Sequence, residues 1–242
     1  IFLIIGETNM ANYKILESVQ HNRIESVHSY EDISNHHPSK NFNEGNRHYD
    51  YVDGKKEEIL SVRGQVQHSQ EGYVFVSKDL VLVDSQNNSG SVAVPAPVSG
   101  YIEIEQSLGR IKIFDKPNGE MIVQAQHMDL RNFKLKNGDY IEYGQPMGVQ
   151  AGKGPQGLHQ YPTHTHIDFN TNHLDKFKQY IEDIDSGVIT TDKYPAQNQP
   201  NPFANPDNFG ALESPSLSPV AQAIKEQCHS HVYGFCERNN QK

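Results

Sequence analysis

Apolar residues are scarce in this chain: 35% of its 242 residues are hydrophobic. At 27.3 kDa that supports one compact core with polar extensions and excludes a core running the full length. Long apolar runs are missing too. The opening Ile1-Phe2-Leu3-Ile4-Ile5 has no basic flank and is too short for a signal-peptide core or a membrane span. Met10-Ala11 reads as a natural start, so the expectation is no membrane insertion and either a cytosolic protein or export by a route that reads no signal peptide. Positive charge is in deficit. A net charge of −9 argues against nucleic acid or an anionic membrane surface as partner. Cysteine is limited to Cys228 and Cys236. A disulfide closing a small C-terminal loop is expected if the protein works outside the cytosol, a zinc knuckle and plain thiols being the alternatives.

Histidine, in contrast, is plentiful, with 13 in the chain. His21, His28, His36, His37, His48 and His68 fall in the polar N-terminal third, where the simplest reading is solvated loop. Thr163-His164-Thr165-His166-Ile167-Asp168 is different. On an extended chain, side chains at i and i+2 share a face, so His164, His166 and Asp168 point the same way. A further histidine stands upstream in Ala125-Gln126-His127-Met128. Neutral imidazole is a common metal ligand and a ready general base. Two imidazoles on one face plus a third from another strand suggest a hydrolytic metal site.

Along the chain, residues 1–58 read as a polar, irregular N-terminal extension. Strand signals begin with Ser61–Gln67 and Tyr73–Val76, the latter extended by Leu80–Val83. Short strands follow at Val92–Val94, Gly100–Glu105, Arg110–Phe114, Glu120–Gln126, Tyr140–Glu142, Met147–Gln150 and Thr165–Phe169, separated by turn signals such as Lys116-Pro117-Asn118-Gly119 and Lys136-Asn137-Gly138-Asp139. This predicts a mainly β domain over 59–185, an antiparallel sheet of sandwich or barrel type with a few short helices. One helix closes it, capped by Asn172, with Leu174, Phe177, Tyr180 and Ile181 as its apolar stripe. Residues 186–242 hold a Pro/Asn-rich linker and a short C-terminal helix from Ser218-Pro219 to Gln227, ahead of the cysteines.

Val94-Pro95-Ala96-Pro97-Val98-Ser99-Gly100-Tyr101-Ile102 is answered later by Asn137-Gly138-Asp139-Tyr140-Ile141-Glu142-Tyr143-Gly144-Gln145-Pro146-Met147-Gly148. Two barrel-like designs share that pairing: biotinyl/lipoyl carrier domains and the LytM/lysostaphin-type zinc endopeptidases, peptidase family M23. A carrier needs a lysine at an exposed hairpin tip, flanked by methionine, and none is found. Gln126-His127 and His164-Thr165-His166 stand where the endopeptidases carry their histidines, so residues 75–170 resemble family M23.

That resemblance implies a single Zn2+, with His166 as a metal ligand, His164 as general base and His127 supporting the oxyanion. It also implies a substrate, the cross-linking or stem peptides of bacterial peptidoglycan, and hence action in the periplasm or outside the cell. With no signal peptide seen, delivery by a phage particle or a secretion machine is expected, and an immunity or delivery protein becomes a candidate partner. The family draws its other two ligands from a His-x-x-x-Asp segment before the Ala-Pro strand. Here that stretch reads Tyr73-Val74-Phe75-Val76-Ser77-Lys78-Asp79-Leu80-Val81-Leu82-Val83-Asp84, with Phe75 or Leu80 where histidine belongs. Loop length up to Pro97 favours Asp84 as the ligand, while the Asp79-Leu80 pair favours Asp79. Asp84 is preferred. His48 is the choice for the missing histidine, with His68 as alternative, and His28-Ser29-Tyr30-Glu31-Asp32 lies too far upstream. Asp168 is expected to orient an imidazole. The rival reading is a catalytically degenerate M23-like module that binds cell wall or activates an amidase.

Overall fold

The computed structural model describes residues 13–16, 26–35, 37, 43–44, 47–60, 73–90 and 92–189. Its strands are β1 (Lys14–Leu16), β2 (Ser26–Val27), β3 (Asn43–Glu44), β4 (Arg47–Val52), β5 (Lys55–Ile59), β6 (Phe75–Val83), β7 (Ala93–Pro95), β8 (Gly100–Glu105), β9 (Arg110–Phe114), β10 (Met121–Gln126), β11 (Met128–Asp129), β12 (Tyr140–Ile141), β13 (Pro146–Gln150) and β14 (Thr165–Asn170), followed by helix α1 (Leu174–Asp185). The fold is mainly antiparallel β, as the strand pattern predicts. The large sheet runs β12-β8-β9-β10-β14-β6-β5-β4-β3, with β1 also on β6 and β2 on β1; β11-β13-β7 form a second, small sheet. The large sheet is open, so the barrel alternative does not hold.

Register explains which face is which. Across four central strands, Ile113, Val123, Phe169 and Val76 form one row, and Lys112, Gln124, Asp168 and Ser77 the next. Ile111, Ala125, Ile167 and Lys78 follow; then come Gln126, His166 and Asp79. Directly opposed residues share a face and successive rows alternate, so the sheet has one apolar and one polar side. The apolar side forms the core with α1, whose Phe177, Tyr180, Ile181 and Ile184 are fully buried. Phe177 stacks on Phe169 at 4.7 Å between ring centroids. Each such side chain contributes roughly 1.5–3 kcal/mol by burial. Asn170, not the expected Asn172, caps this end: its side chain accepts the Asn172 N–H in a short 3-10 turn that leads into α1.

The region expected to be irregular contains paired strands. β4 and β5 form a hairpin through Asp53-Gly54, where both residues have positive φ (49° and 76°), the conformation a two-residue primed turn requires. Its Glu57 reaches the apolar side, where it bonds the Lys78 ammonium at 2.5 Å and accepts the Tyr30 hydroxyl at 3.0 Å. The expected strand at 61–67, His68, the proline-rich linker beyond residue 189, the C-terminal helix and both cysteines lie outside the described residues. Among the described residues no helix is long and apolar enough to cross a membrane.

Candidate functional site

The polar side of the sheet gathers three of the histidines singled out by sequence. His166, on β14, lies directly opposite Asp79 on β6. Its Nδ1 is 3.0 Å from Asp79 Oδ1 and its Nε2 is 2.9 Å from Asp168 Oδ1. His164 Nε2 approaches the same Asp79 oxygen at 3.7 Å. The His127 ring lies 4.8 Å from that of His164 and 5.9 Å from that of His166, centroid to centroid. Asp79 and Asp168 are fully buried, and His164 and His166 nearly so.

Each imidazole is held by its outer nitrogen. His127 Nδ1 is 2.6 Å from the Lys153 carbonyl, and His164 Nδ1 is 2.6 Å from the Pro162 carbonyl. A carbonyl only accepts, so both Nδ1 atoms carry the proton and both Nε2 atoms keep a lone pair. His127, directly after β10, has a φ of 68°, a conformation uncommon outside glycine. Its carbonyl accepts the N–H groups of Ala151 and Lys153, which ties the strand end to the loop after β13. That loop returns towards the site through Gly152, whose φ is +59°; a Cβ there would lie 2.2 Å from the Tyr161 carbonyl oxygen. The half-exposed Tyr161 ring stands edge-on to His127 at 5.1 Å.

Burial drives the His127 pKa down to about 4, so the ring is neutral at physiological pH. Burial acts on His166 in the same direction, but Asp168 and Asp79 outweigh it and carry the pKa up to about 10. Burial alone would raise the Asp168 carboxyl; His166, Ser77 and Gln124 reverse that and hold it well below the usual carboxylate range. Asp168 accepts from the Ser77 hydroxyl at 2.6 Å and from the amides of Gln124 and Gln126 at 2.8 and 3.1 Å. Gln126 in turn takes two hydrogen bonds from Arg110, which pairs with Glu105.

These placements correct two expectations. Asp84 is not in the cluster. β6 continues unbroken to Val83, which carries Asp84 roughly 16 Å beyond Asp79, and an odd spacing turns it to the other side. Its carboxylate accepts the N–H groups of Gln86 and Asn88 and shapes the exposed turn. His48 also fails as the substitute ligand. It pairs with Ile59, which pairs with Val76, so it lies two strands from β6 and faces the apolar side. Asp79, the other candidate, stands in the cluster, and Asp168 holds the orienting position expected of it. Phe75, where the resemblance to M23 calls for a histidine, is fully buried against Leu60, Phe114 and Met121 and offers no donor. Sequence reasoning missed Ser77, Gln124, Gln126 and Tyr161. The i−2 spacing of Ser77 from Asp79 was a usable signal for one of them; nothing marked the rest.

Zinc suits part of this donor set. Asp79 and His166 present a carboxylate and an imidazole side by side, and a carboxylate on the far nitrogen, as Asp168 supplies, is the usual support of a metal-bound histidine. A divalent cation in place of the Nδ1 proton would meet the same Asp79 oxygen. Among the described residues no group of three or more His, Cys, Asp or Glu side chains is already gathered tightly enough to hold a metal. In comparison with known proteins, no family model, curated protein or solved structure matches this chain.

Proposed function

We propose that the chain is a zinc-dependent hydrolase of the M23 type, acting on the cross-linking or stem peptides of bacterial peptidoglycan. The observation that carries this reading is the meeting of His127, His164, His166 and Asp79 at one end of the polar face. Asp79 and His166 would hold the metal, with Asp168 fixing the His166 ring. Zinc bound there would supply Lewis acidity to a scissile amide and to water. The neutral His127, its Nε2 unprotonated, is suited to take or return a proton beside the reacting carbonyl. Tyr161 edges the same space and leaves a side chain at solvent. In this reading the activity lies in the periplasm or outside the cell, with an immunity or delivery protein as partner.

The test is incubation of purified muropeptides with zinc-loaded protein and with His127→Ala, products being read by mass. Cleavage of an amide bond by the first and not the second is the expected result. An inert zinc-loaded protein overturns the hydrolase. Phe75 in the ligand position favours one second reading, a degenerate module that binds wall; intact muropeptides retained on the protein would establish it.

A further inference from the structure

We infer that His164 is the third protein ligand of the metal site, filling the place that Phe75 leaves without a donor. This rests on the zinc reading above and departs from the role that family resemblance assigns to His164. A tetrahedral site with bonds of about 2.0–2.2 Å has neighbouring donors about 3.3–3.6 Å apart. His166 Nδ1 and His164 Nε2 stand 3.0 and 3.7 Å from one and the same oxygen, Asp79 Oδ1. Both separations are within a few tenths of an ångström of that edge, so two edges of a three-ligand set are in place, and side-chain rotation on metal binding would bring the three donors together.

Protonation agrees with this geometry. The Pro162 carbonyl fixes the His164 proton on Nδ1, and Asp168 accepts the Nε2–H of His166. The His164 nitrogen nearest Asp79 thus carries a lone pair, and the His166 nitrogen nearest Asp79 becomes a ligand when a cation takes the place of its proton, each ring being anchored from behind. Among the described residues no other candidate meets these conditions. His48 faces the opposite side, Asp84 caps a distant turn, and Phe75 is sealed in apolar contacts. His127 is anchored in the same way by Lys153, but it reaches the cluster from beyond the large sheet, at its turn towards β11. With His164 on the metal, His127 alone remains for proton transfer, and a fourth position stays open for substrate or water.

The experiment uses the full chain, stripped by chelator and reloaded with zinc or Co(II). Zinc stoichiometry and affinity are measured by chelator competition for wild type, His164→Ala, His164→Cys and His127→Ala, each first checked for a wild-type circular dichroism spectrum. Wild type should bind one zinc. His164→Ala should lose more than about 100-fold in affinity, beyond the ~10–100-fold cost of an outer-shell change, while His127→Ala stays within about tenfold. Co(II)-loaded His164→Cys should gain a thiolate-to-cobalt charge-transfer band in the near ultraviolet, which no merely structural role at residue 164 would produce. Wild-type affinity in His164→Ala, or a folded His164→Cys that binds Co(II) without that band, overturns the assignment and leaves the hydrolase reading standing. Wild type that binds no zinc overturns both.

Discussion

Replacing Glu57 by Gln should destabilise the protein by an amount that depends on pH in a predictable direction. Lys78 and Glu57 are fully buried on the apolar side of the sheet, and the ammonium has this one carboxylate at 2.5 Å. Burial lowers the Lys78 pKa, Glu57 opposes it, and the value settles at about 8. In the unfolded chain it returns to about 10.4. The sign follows. Burial of the ammonium opposes folding fully below pH 8, and this is relieved as pH rises from 8 to about 10.4, because the native state then holds fewer protons than the unfolded one. At pH 7 the native ammonium is favoured over the amine by about one pH unit, or about 1.4 kcal/mol. Without the carboxylate, Lys78 should fall to the ~5–6 of unpaired buried lysines and turn neutral at pH 7, losing that amount. A weakened hydrogen bond from Tyr30 brings the total to about 2–3 kcal/mol at pH 7. The loss should grow by about 1.4 kcal/mol for each unit down to pH 6 and shrink to about 1 kcal/mol at pH 9. Urea unfolding followed by circular dichroism at pH 6, 7 and 9 measures it. A loss that is constant across that range refutes the charge reasoning. The double variant Glu57→Gln, Lys78→Met should return to within about 1.5 kcal/mol of wild type at pH 7, since an apolar side chain of similar volume removes the stranded charge.

Four further outcomes test the fold and site. Asp168→Asn should weaken zinc binding about 10–100-fold in chelator competition, because the His166 Nε2–H loses its carboxylate; unchanged affinity would remove Asp168 from the support of the site. Gly152→Ala should lower the midpoint of thermal unfolding more than Gly138→Ala. Both have positive φ, worth roughly 1–3 kcal/mol of strain, but only at Gly152 does the added carbon meet backbone, at 2.2 Å. Phe177→Ala should cost about 3–5 kcal/mol in urea unfolding, since the ring is fully buried and stacked on Phe169. His48→Ala and Asp84→Ala should both keep the wild-type zinc content by elemental analysis, and a drop in either would contradict the placement of these residues away from the cluster.

Strand positions from Phe75 to Asn170 were legible because alternation and turn chemistry are local signals. Gly100–Glu105 and Arg110–Phe114 emerge with the expected bounds. The β4–β5 hairpin was not read, although Asp53-Gly54 is a strong turn signal, because Lys55-Lys56-Glu57-Glu58 lacks the apolar alternation that marks a strand. Its glutamate carboxylates are buried because Lys78, Tyr30 and His37 donate to them, contacts no local pattern announces. At the site, two-residue periodicity correctly put His164, His166 and Asp168 together. The same rule applied to β6 separates Asp79 from Asp84. Spacing to Pro97 outweighed it, because Leu80-Val81-Leu82-Val83 is apolar on both faces and hides which side is polar.

The polar face poses an energetic question that bears on function. A chain of side chains runs from Glu105 through Arg110, Gln126, Asp168 and His166 to Asp79, spanning five strands and growing more buried towards its end. Two carboxylates and an imidazole placed out of water gain little over apolar residues of the same size, so stability alone does not account for them. Their arrangement does one thing apolar residues cannot: it fixes the orientation of His166 through a carboxylate that is itself fixed by Ser77, Gln124 and Gln126. A wall-binding module without chemistry has no use for an imidazole held that firmly, nor for a neutral His127 kept at positive φ beside it. Backbone strain and buried charge concentrated on one cluster are what a preorganised reactive centre requires. The cost of holding these groups in place therefore weighs towards the proposed hydrolase and against the inert module, even with Phe75 where an M23 enzyme would have a ligand.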